Sequence, residues 1–439
     1  MRGAISPHPT LSISSGTFSI ISLGCPKNLV DSEQHVFALQ QAGMTFQTDI
    51  EHSELVVLNT CGFLHSARSE AREYIRALIE LKEQNQIGRI VVCGCMPAHT
   101  GIAPLAAEFP EVDEWSGVPE ASRQSSPRHI LTAPHVAYLR IADGCNRRCA
   151  FCTIPKIRGN FRSVPEAVVL AEARRLAEAG VKELIVIAQE TNFWGNDLDG
   201  KPKLVSLLQQ IERIDGLRWI RLMYTYPQHF GDDLIALFAS GGKLMPYIDM
   251  PLQHANDEML AQMNRLVTKS ETERLLEKLR TRIDHLVLRT SFIVGFPGES
   301  EAMFQELLRF VEDWKFERAG VFRFSAEQGT AAQRLTPKVP GKTMDWRVEQ
   351  LQKVCKKHAV SWANGQKGKI LDVQIDGNYI DEFGRKEPKL FIGRTFADAP
   401  DIDPVVYITG AGLLPGASVE CEMLEVDGTD LVGVTESGT

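Results

Sequence analysis

Three short apolar runs in the first third of the chain end on the same residue type. TFSIISLGC, SELVVLNTC and GRIVVCGC close on Cys25, Cys61 and Cys95, and the helical patterns DSEQHVFALQQAG and SEAREYIRALIELKEQ stand between them. Apolar runs alternating with helical periodicity specify parallel strands joined by crossover helices. In an open sheet of that kind the carboxyl ends of the strands face one crevice. Cysteines spaced by 36 and 34 residues are therefore expected to meet in space. Cys93 sits two residues before Cys95 and is an alternative to it, although Gly94-Cys95 suits the turn better. The bland alternative is three buried structural cysteines, since free cysteine is often buried.

A second trio lies in the loop DGCNRRCAFCTIP, where Cys145, Cys149 and Cys152 follow a C-x-x-x-C-x-x-C spacing. Thiolates are the usual protein ligands of iron–sulfur clusters, and a four-iron cluster normally takes four. Three ligands leave one iron open, as a catalytic rather than structural metal site requires. Zinc is the competing reading, but neither a second C-x-x-C nor a histidine pair follows to complete it. A redox dithiol leaves Cys145 unexplained. Two trios thus point to two 4Fe-4S clusters, while Cys355 and Cys421 are expected to pack as small hydrophobes.

Composition of 44% hydrophobic and 24% charged residues over 439 positions is that of an ordinary globular chain with two or three domains. No apolar run reaches the length that spans a bilayer, so no membrane partner is expected. The opening MRGAISPHPTLSISSG has no apolar segment behind a basic start, and reads as a loose tail. A cytoplasmic location is expected, where thiols stay reduced. Residues 365–439 hold six Lys and Arg against fourteen Asp and Glu, which accounts for the whole net charge of −8. An acidic module repels phosphate backbones and attracts basic partners. Direct nucleic-acid binding is therefore not expected, although solubility alone would also explain the acidity.

From Val136 the alternation restarts, with strands expected at AYLRIA, ELIVIA, RWIRLMY, YIDMP, LVLRTSFIVGF and AGVFRFS. Six β/α units make an open, partial barrel rather than a closed eight-fold one. After DWRVEQLQKVCKKHAVSWANG, five short runs without intervening helices read as a small antiparallel β-barrel. The fold class is α/β: an N-terminal parallel α/β domain, a partial (βα)6 barrel and a C-terminal antiparallel β-barrel. The expected boundaries are a tail over 1–16, domains over 17–120, 135–364 and 365–439, and a linker over 121–134.

The compact loop resembles the radical S-adenosylmethionine (SAM) superfamily. That resemblance implies SAM chelated at the open iron and cleaved to methionine and a 5′-deoxyadenosyl radical. It further implies cofactor contacts from Phe151, from Gln189 and Glu190, from Gln253, and from Gly295 and Glu299. For Phe151, Gln189 and Gly295 ordinary barrel packing is the competing reading. Arg265 is expected either to pair with the SAM carboxylate or to lie solvated on the surface. Together the two trios and the acidic barrel resemble the methylthiotransferase family, whose last domain is a TRAM barrel. In that family one SAM methylates a held sulfur, and another supplies the radical that opens a substrate C–H bond. No catalytic residue beyond the cluster ligands is named by the sequence, and none identifies the sulfur donor. The family implies a low-potential electron donor such as flavodoxin.

Leu23-Gly24-Cys25-Pro26-Lys27-Asn28-Leu29-Val30-Asp31 and Gly393-Arg394-Thr395-Phe396-Ala397-Asp398-Ala399-Pro400-Asp401-Ile402-Asp403 resemble the RimO-type branch. That branch modifies the β-carbon of an aspartate in small-subunit ribosomal protein S-twelve; the other branch modifies adenosine in transfer RNA. Asp398, Asp401 and Asp403 are expected to dock a basic protein substrate. A rival from another class is a non-catalytic iron–sulfur electron carrier or sensor, whose clusters would be fully ligated by protein.

Overall fold

The computed structural model describes residues 16–119 and 127–435. The expected tail up to residue 15, and positions 121–126 of the expected linker, lie outside them. Strands β1 (Thr17–Ser22), β2 (Leu55–Thr60) and β3 (Arg89–Gly94) pair in parallel, with two-residue strands Thr45–Phe46 and Glu114–Trp115 at the edges. Helix α1 (Pro26–Gln41) lays Val36 and Leu39 on one face, against Leu55, Val57 and Val91. Helix α2 (His65–Glu83) lays Ala71, Ile75 and Leu78 on the other, against Val56, Leu58 and Val92. Burial on both faces is why β2 reads as an unbroken apolar run rather than an alternating one.

Six further strands form one parallel sheet in sequence order: β4 (Val136–Arg140), β5 (Glu183–Ile187), β6 (Trp219–Leu222), β7 (Leu244–Asp249), β8 (Val287–Val294) and β9 (Arg318–Arg323). All six are strands expected from the sequence. Helices α3 (Glu166–Glu178), α4 (Lys269–Arg282) and α5 (Glu301–Trp314) cover the outer face. Gly180, at φ +100°, takes the left-handed conformation that stops α3. Thr268 and Glu271 close a capping box at the start of α4. Long helix α6 (Gly341–Asn364) carries buried Cys355 back across the sheet.

The C-terminal unit is a closed five-stranded barrel: β10 (Ile370–Ile380), β11 (Lys386–Arg394), β12 (Val406–Thr409), β13 (Ser418–Asp427) and β14 (Asp430–Val434). Its pairings are antiparallel, except that β12 and β14 run parallel. Its small core includes Val373, Phe391, Ile408 and Cys421.

The inner face of the six-stranded sheet is filled from two directions. Leu29 and Val30 of α1 enter from one side. Phe396, Ala397 and Ala399, from the segment after β11, pack with Tyr138, Trp219, Tyr247 and Val287. That segment is bolted down by ions. Arg394 donates to Glu183 of β5 at 2.5 Å and to Asp376 at 2.7 Å, and Asp376 also meets His135 at 2.9 Å. Arg318 of β9 donates to Asp398 at 2.7 Å.

Asp403 accepts from the Tyr247 hydroxyl at 2.6 Å and lies 3.5 Å from Arg289. This corrects the expected docking role of the acidic segment. The side chains of Asp398 and Asp403 are only 2% and 4% exposed between the C-terminal barrel and the sheet, because they neutralise Arg318 and Arg289; of the three, Asp401 alone is exposed. A row of solvent-facing acids in this unit stands on β13, at Glu420, Glu422, Glu425 and Asp427.

Candidate functional site

Each N-terminal cysteine emerges where a strand turns into a helix. Cys25 caps α1, with Pro26 at the first helical position; Cys61 follows β2; Cys95 opens the short helix Cys95–Thr100 after β3. Gly24 has φ +97°, and a Cβ there would stand 2.8 Å from the Cys61 Cβ, so only glycine lets the first two turns approach. The three thiols lie close enough for each to feel the others' charge. Burial pushes the Cys95 thiol up to about 12, partly offset by Arg158, whose Nη2 lies 3.6 Å from its sulfur. Cys93 packs instead with Phe18, Val36 and Val57 in the core under α1.

The compact loop follows β4. Backbone N–H groups of Arg147 and Ile154 donate to the Cys145 and Cys152 sulfurs, each at 3.4 Å, and Arg265 Nη1 lies 3.8 Å from Cys149 Sγ. Burial raises Cys145 to about 11 and Cys152 to about 12. Metal binding displaces the proton of a thiol so placed. Among the described residues, no three His, Cys, Asp or Glu side chains converge as ligands of a single ion would. In a four-iron cluster each thiolate meets its own iron, so the three sulfurs need not close on a single point. Unpaired thiols, amide donors on sulfur and a guanidinium beside each trio make a donor set that suits a cluster.

The two trios share one seam. Helix Ile154–Arg158 packs on helix Cys95–Thr100, and Thr153 Oγ1 donates to the Phe63 carbonyl at 3.2 Å. Arg158 joins Asp31 of α1 at 2.8 Å and Asp143 at 3.1 Å, and Arg140 also pairs with Asp31. Lys27 crosses the seam as well, with Nζ 3.3 Å from the Ala188 carbonyl and 3.1 Å from the centre of the Tyr224 ring. Burial lowers its ammonium to about 8.

The residues expected to touch SAM gather at the carboxyl ends of the strands, with different degrees of freedom. Phe151 lies against Ala150, Met259, Met263 and Phe296. Gln189 Nε2 donates to Asp143 at 2.9 Å, and its buried Oε1 has no protein partner. Glu190 grips Arg147 through both oxygens, at 2.5 and 2.9 Å. Gln253 adopts φ +73° beside β8. Arg265 is buried rather than solvated; it stacks 4.1 Å from Tyr226, whose ring also meets Arg147 at 4.1 Å.

Gly295 takes φ +80° under Met344. Glu299 departs from the expected cofactor contact. Its carboxylate is buried and already bonded to the Gly295 N–H, to Arg347 at 2.9 Å and to His254 at 3.3 Å, so it holds the Gly295 turn from behind. Sequence reasoning missed Lys27, Arg158, Asp31 and Tyr224. Lys27 lay inside a quoted motif, but its side-chain burial is not visible in a string of letters.

Comparison with known proteins matches the chain in three consecutive stretches. Residues 17–117 match uncharacterized protein family UPF0004, 139–311 the radical SAM superfamily, and 367–435 the TRAM domain. A protein named ribosomal protein uS12 methylthiotransferase RimO, from Pelotomaculum thermopropionicum, is 41% identical over 90% of this chain and 94% of its own. Its namesake from Syntrophus aciditrophicus is 37% identical over 94% and 96%. Among solved structures, the radical SAM methyltransferase TsrM from Kitasatospora setae, bound to tryptophan and a SAM analogue, superposes with a TM-score of 0.54. It is 14% identical over 85% of this chain and 84% of that one, a likeness of fold.

Proposed function

The chain belongs to the RimO family of radical SAM methylthiotransferases, and from that premise we propose that it adds a methylthio group to the β-carbon of an aspartate in ribosomal protein uS12. One observation carries the reading furthest: two unpaired cysteine trios on separate sheets meet at a single seam. Cys145, Cys149 and Cys152 would hold one 4Fe-4S cluster and the SAM, and Cys25, Cys61 and Cys95 the other. When bound, these groups supply one-electron cleavage of SAM, hydrogen abstraction from carbon, and a sulfur that carries the transferred methyl group.

The protein's own share is placement. Transfer requires the two reacting partners in contact distance at the same carbon, and Arg158 fixes that distance by tying α1 to the compact loop. Arg147 and Arg265 clamp Tyr226 beside Cys149, which holds the loop in register. Gln189 offers an unspent acceptor for the amino group of SAM, and Arg265 a guanidinium for its carboxylate. A low-potential donor of the flavodoxin type would supply the electron, and the cytoplasm is the compartment that suits free thiols. Among the described residues, no helix is long and apolar enough to cross a membrane.

The test is an anaerobic reaction of the reconstituted enzyme with SAM, reductant and sulfide, offering uS12 and unmodified transfer RNA side by side. The expected result is a methylthio mass gain on an aspartate of uS12 alone. A gain on adenosine instead would overturn the substrate assignment while leaving the two-cluster arrangement in place.

A further inference from the structure

Around the seam, every buried carboxylate is spoken for by something other than Lys27. Asp31 pairs with Arg140 and Arg158, Asp143 with Arg158 and Gln189, and Asp249 with Arg289 at 2.7 Å and the Tyr224 N–H at 2.9 Å. Lys27 is 6% exposed, yet among the described residues no carboxylate stands within ion-pair distance of it. Its ammonium feels the charge of Cys25, Asp249 and Asp143 at longer range, but its direct contacts are one backbone carbonyl and one ring face. An ammonium carries three donors, and a buried donor left without an acceptor is costly unless something else completes it.

The place of these unspent donors is specific. Pro26 ties it to Cys25, while Ala188 and Tyr224 lie just past the carboxyl ends of β5 and β6. Cys25 and Cys61 beside it are partly exposed, so the seam is open on that side.

Resting on the RimO-family reading, we propose that Lys27 is the receptor for the substrate aspartate, its ammonium pairing with the side-chain carboxylate next to the carbon that is modified. The β-carbon is one bond from the carboxylate carbon, so anchoring the carboxylate confines the β-carbon to a short arc beside Cys25. A glutamate would carry its β-carbon one methylene further from the anchor, and an asparagine would bring no charge. Lys27 thereby sets both the residue type accepted and the carbon presented.

The experiment uses the full-length enzyme with both clusters reconstituted. It offers uS12 in its natural form and with the modified aspartate replaced by asparagine. Wild type, Lys27→Met and Lys27→Gln are compared for iron content, SAM cleavage without substrate, and KM and rate of methylthio transfer on each form. Wild type is expected to favour aspartate by about tenfold or more, the discrimination of a desolvated charge pair.

In Lys27→Met that preference falls to near one when each rate is taken per reconstituted cluster, as read from the iron content. Lys27→Gln keeps a donor for the Ala188 carbonyl, so it guards against loss of the fold and is expected to lose the preference equally. A wild-type preference in either neutral variant overturns the assignment of Lys27. A wild-type enzyme that modifies neither form of uS12 overturns the substrate reading beneath it, a distinct result.

Discussion

Arg318 and Asp398 offer a direct measure of what the buried ions under the sheet contribute. Both side chains are almost wholly buried, at 5% and 2% exposure, and their 2.7 Å bond crosses from β9 to the segment after β11. Replacing Asp398 by alanine leaves the guanidinium with the Glu317 carbonyl at 2.9 Å, the Trp362 ring at 4.4 Å, and only the longer-range charge of Asp403. Removing one partner of a buried pair costs about 3–5 kcal/mol. With a urea slope of about 2–3 kcal/mol/M, the unfolding midpoint falls by about 1–2 M.

Trp362 stands against the pair and is one of six tryptophans whose fluorescence follows the unfolding. Arg323 and Asp345, 2.8 Å apart but 49% and 62% exposed, form the control; removing Asp345 is expected to cost less than about 1 kcal/mol. Replacing Arg318 by methionine and Asp398 by leucine together should recover most of the loss, because paired apolar groups need no counter-ion. Single losses below about 1 kcal/mol, or a double variant as weak as the sum of the singles, would refute the argument that these ions act as a buried unit.

Cys145→Ala should abolish deoxyadenosine release from SAM, whereas Cys61→Ala should keep that release and lose methylthio transfer; chromatography of the small-molecule products separates the two. Full transfer by the Cys61 variant would remove the second trio from the chemistry. Reversing Glu420, Glu422 and Glu425 to lysine on the exposed face of β13 should slow association with a basic uS12 by about tenfold at low salt, measured by stopped-flow mixing. The same triple change with unaltered association at low salt would count against docking on that strand.

Burial works against the charge of Asp376, but His135 and Arg394 overcome it and hold the carboxyl below its ordinary value. A lowered acid stabilises the fold above its unfolded pKa of about 3.9, and that contribution is lost as pH falls through the folded value. Stability in the wild type should therefore drop more steeply between about pH 4 and pH 3 than in Asp376→Asn, as followed by thermal unfolding.

The strands were legible because burial on both faces leaves an unmistakable apolar run, and the cysteines because they close those runs. Gly180 ended its helix where its freedom of φ predicted. What the letters hid was the environment of charge. Asp398 and Asp403 read as a docking face because an acidic residue is solvated by default; only the arginines of β8 and β9, about a hundred residues away in sequence, draw them inside. Lys27 was hidden for the same reason, and Glu299 looked like a cofactor contact until Arg347 and His254 were found around it. The parallel pairing of β12 with β14 depends on how the barrel closes, which no local pattern records.

A module joined through a linker can usually be traded between proteins, since water separates it from its neighbour. Here the segment after β11 is the floor of the adjoining half-barrel, with Phe396, Ala397 and Ala399 filling its interior. Severing the chain near residue 365 would flood Trp219, Tyr247 and Val287 and strand Arg318 in an apolar hollow. Any hybrid that borrows a C-terminal barrel from a relative must therefore inherit the matching inner layer of the sheet, or be recut there. The C-terminal barrel and the inner layer of the half-barrel are thus bound to change together.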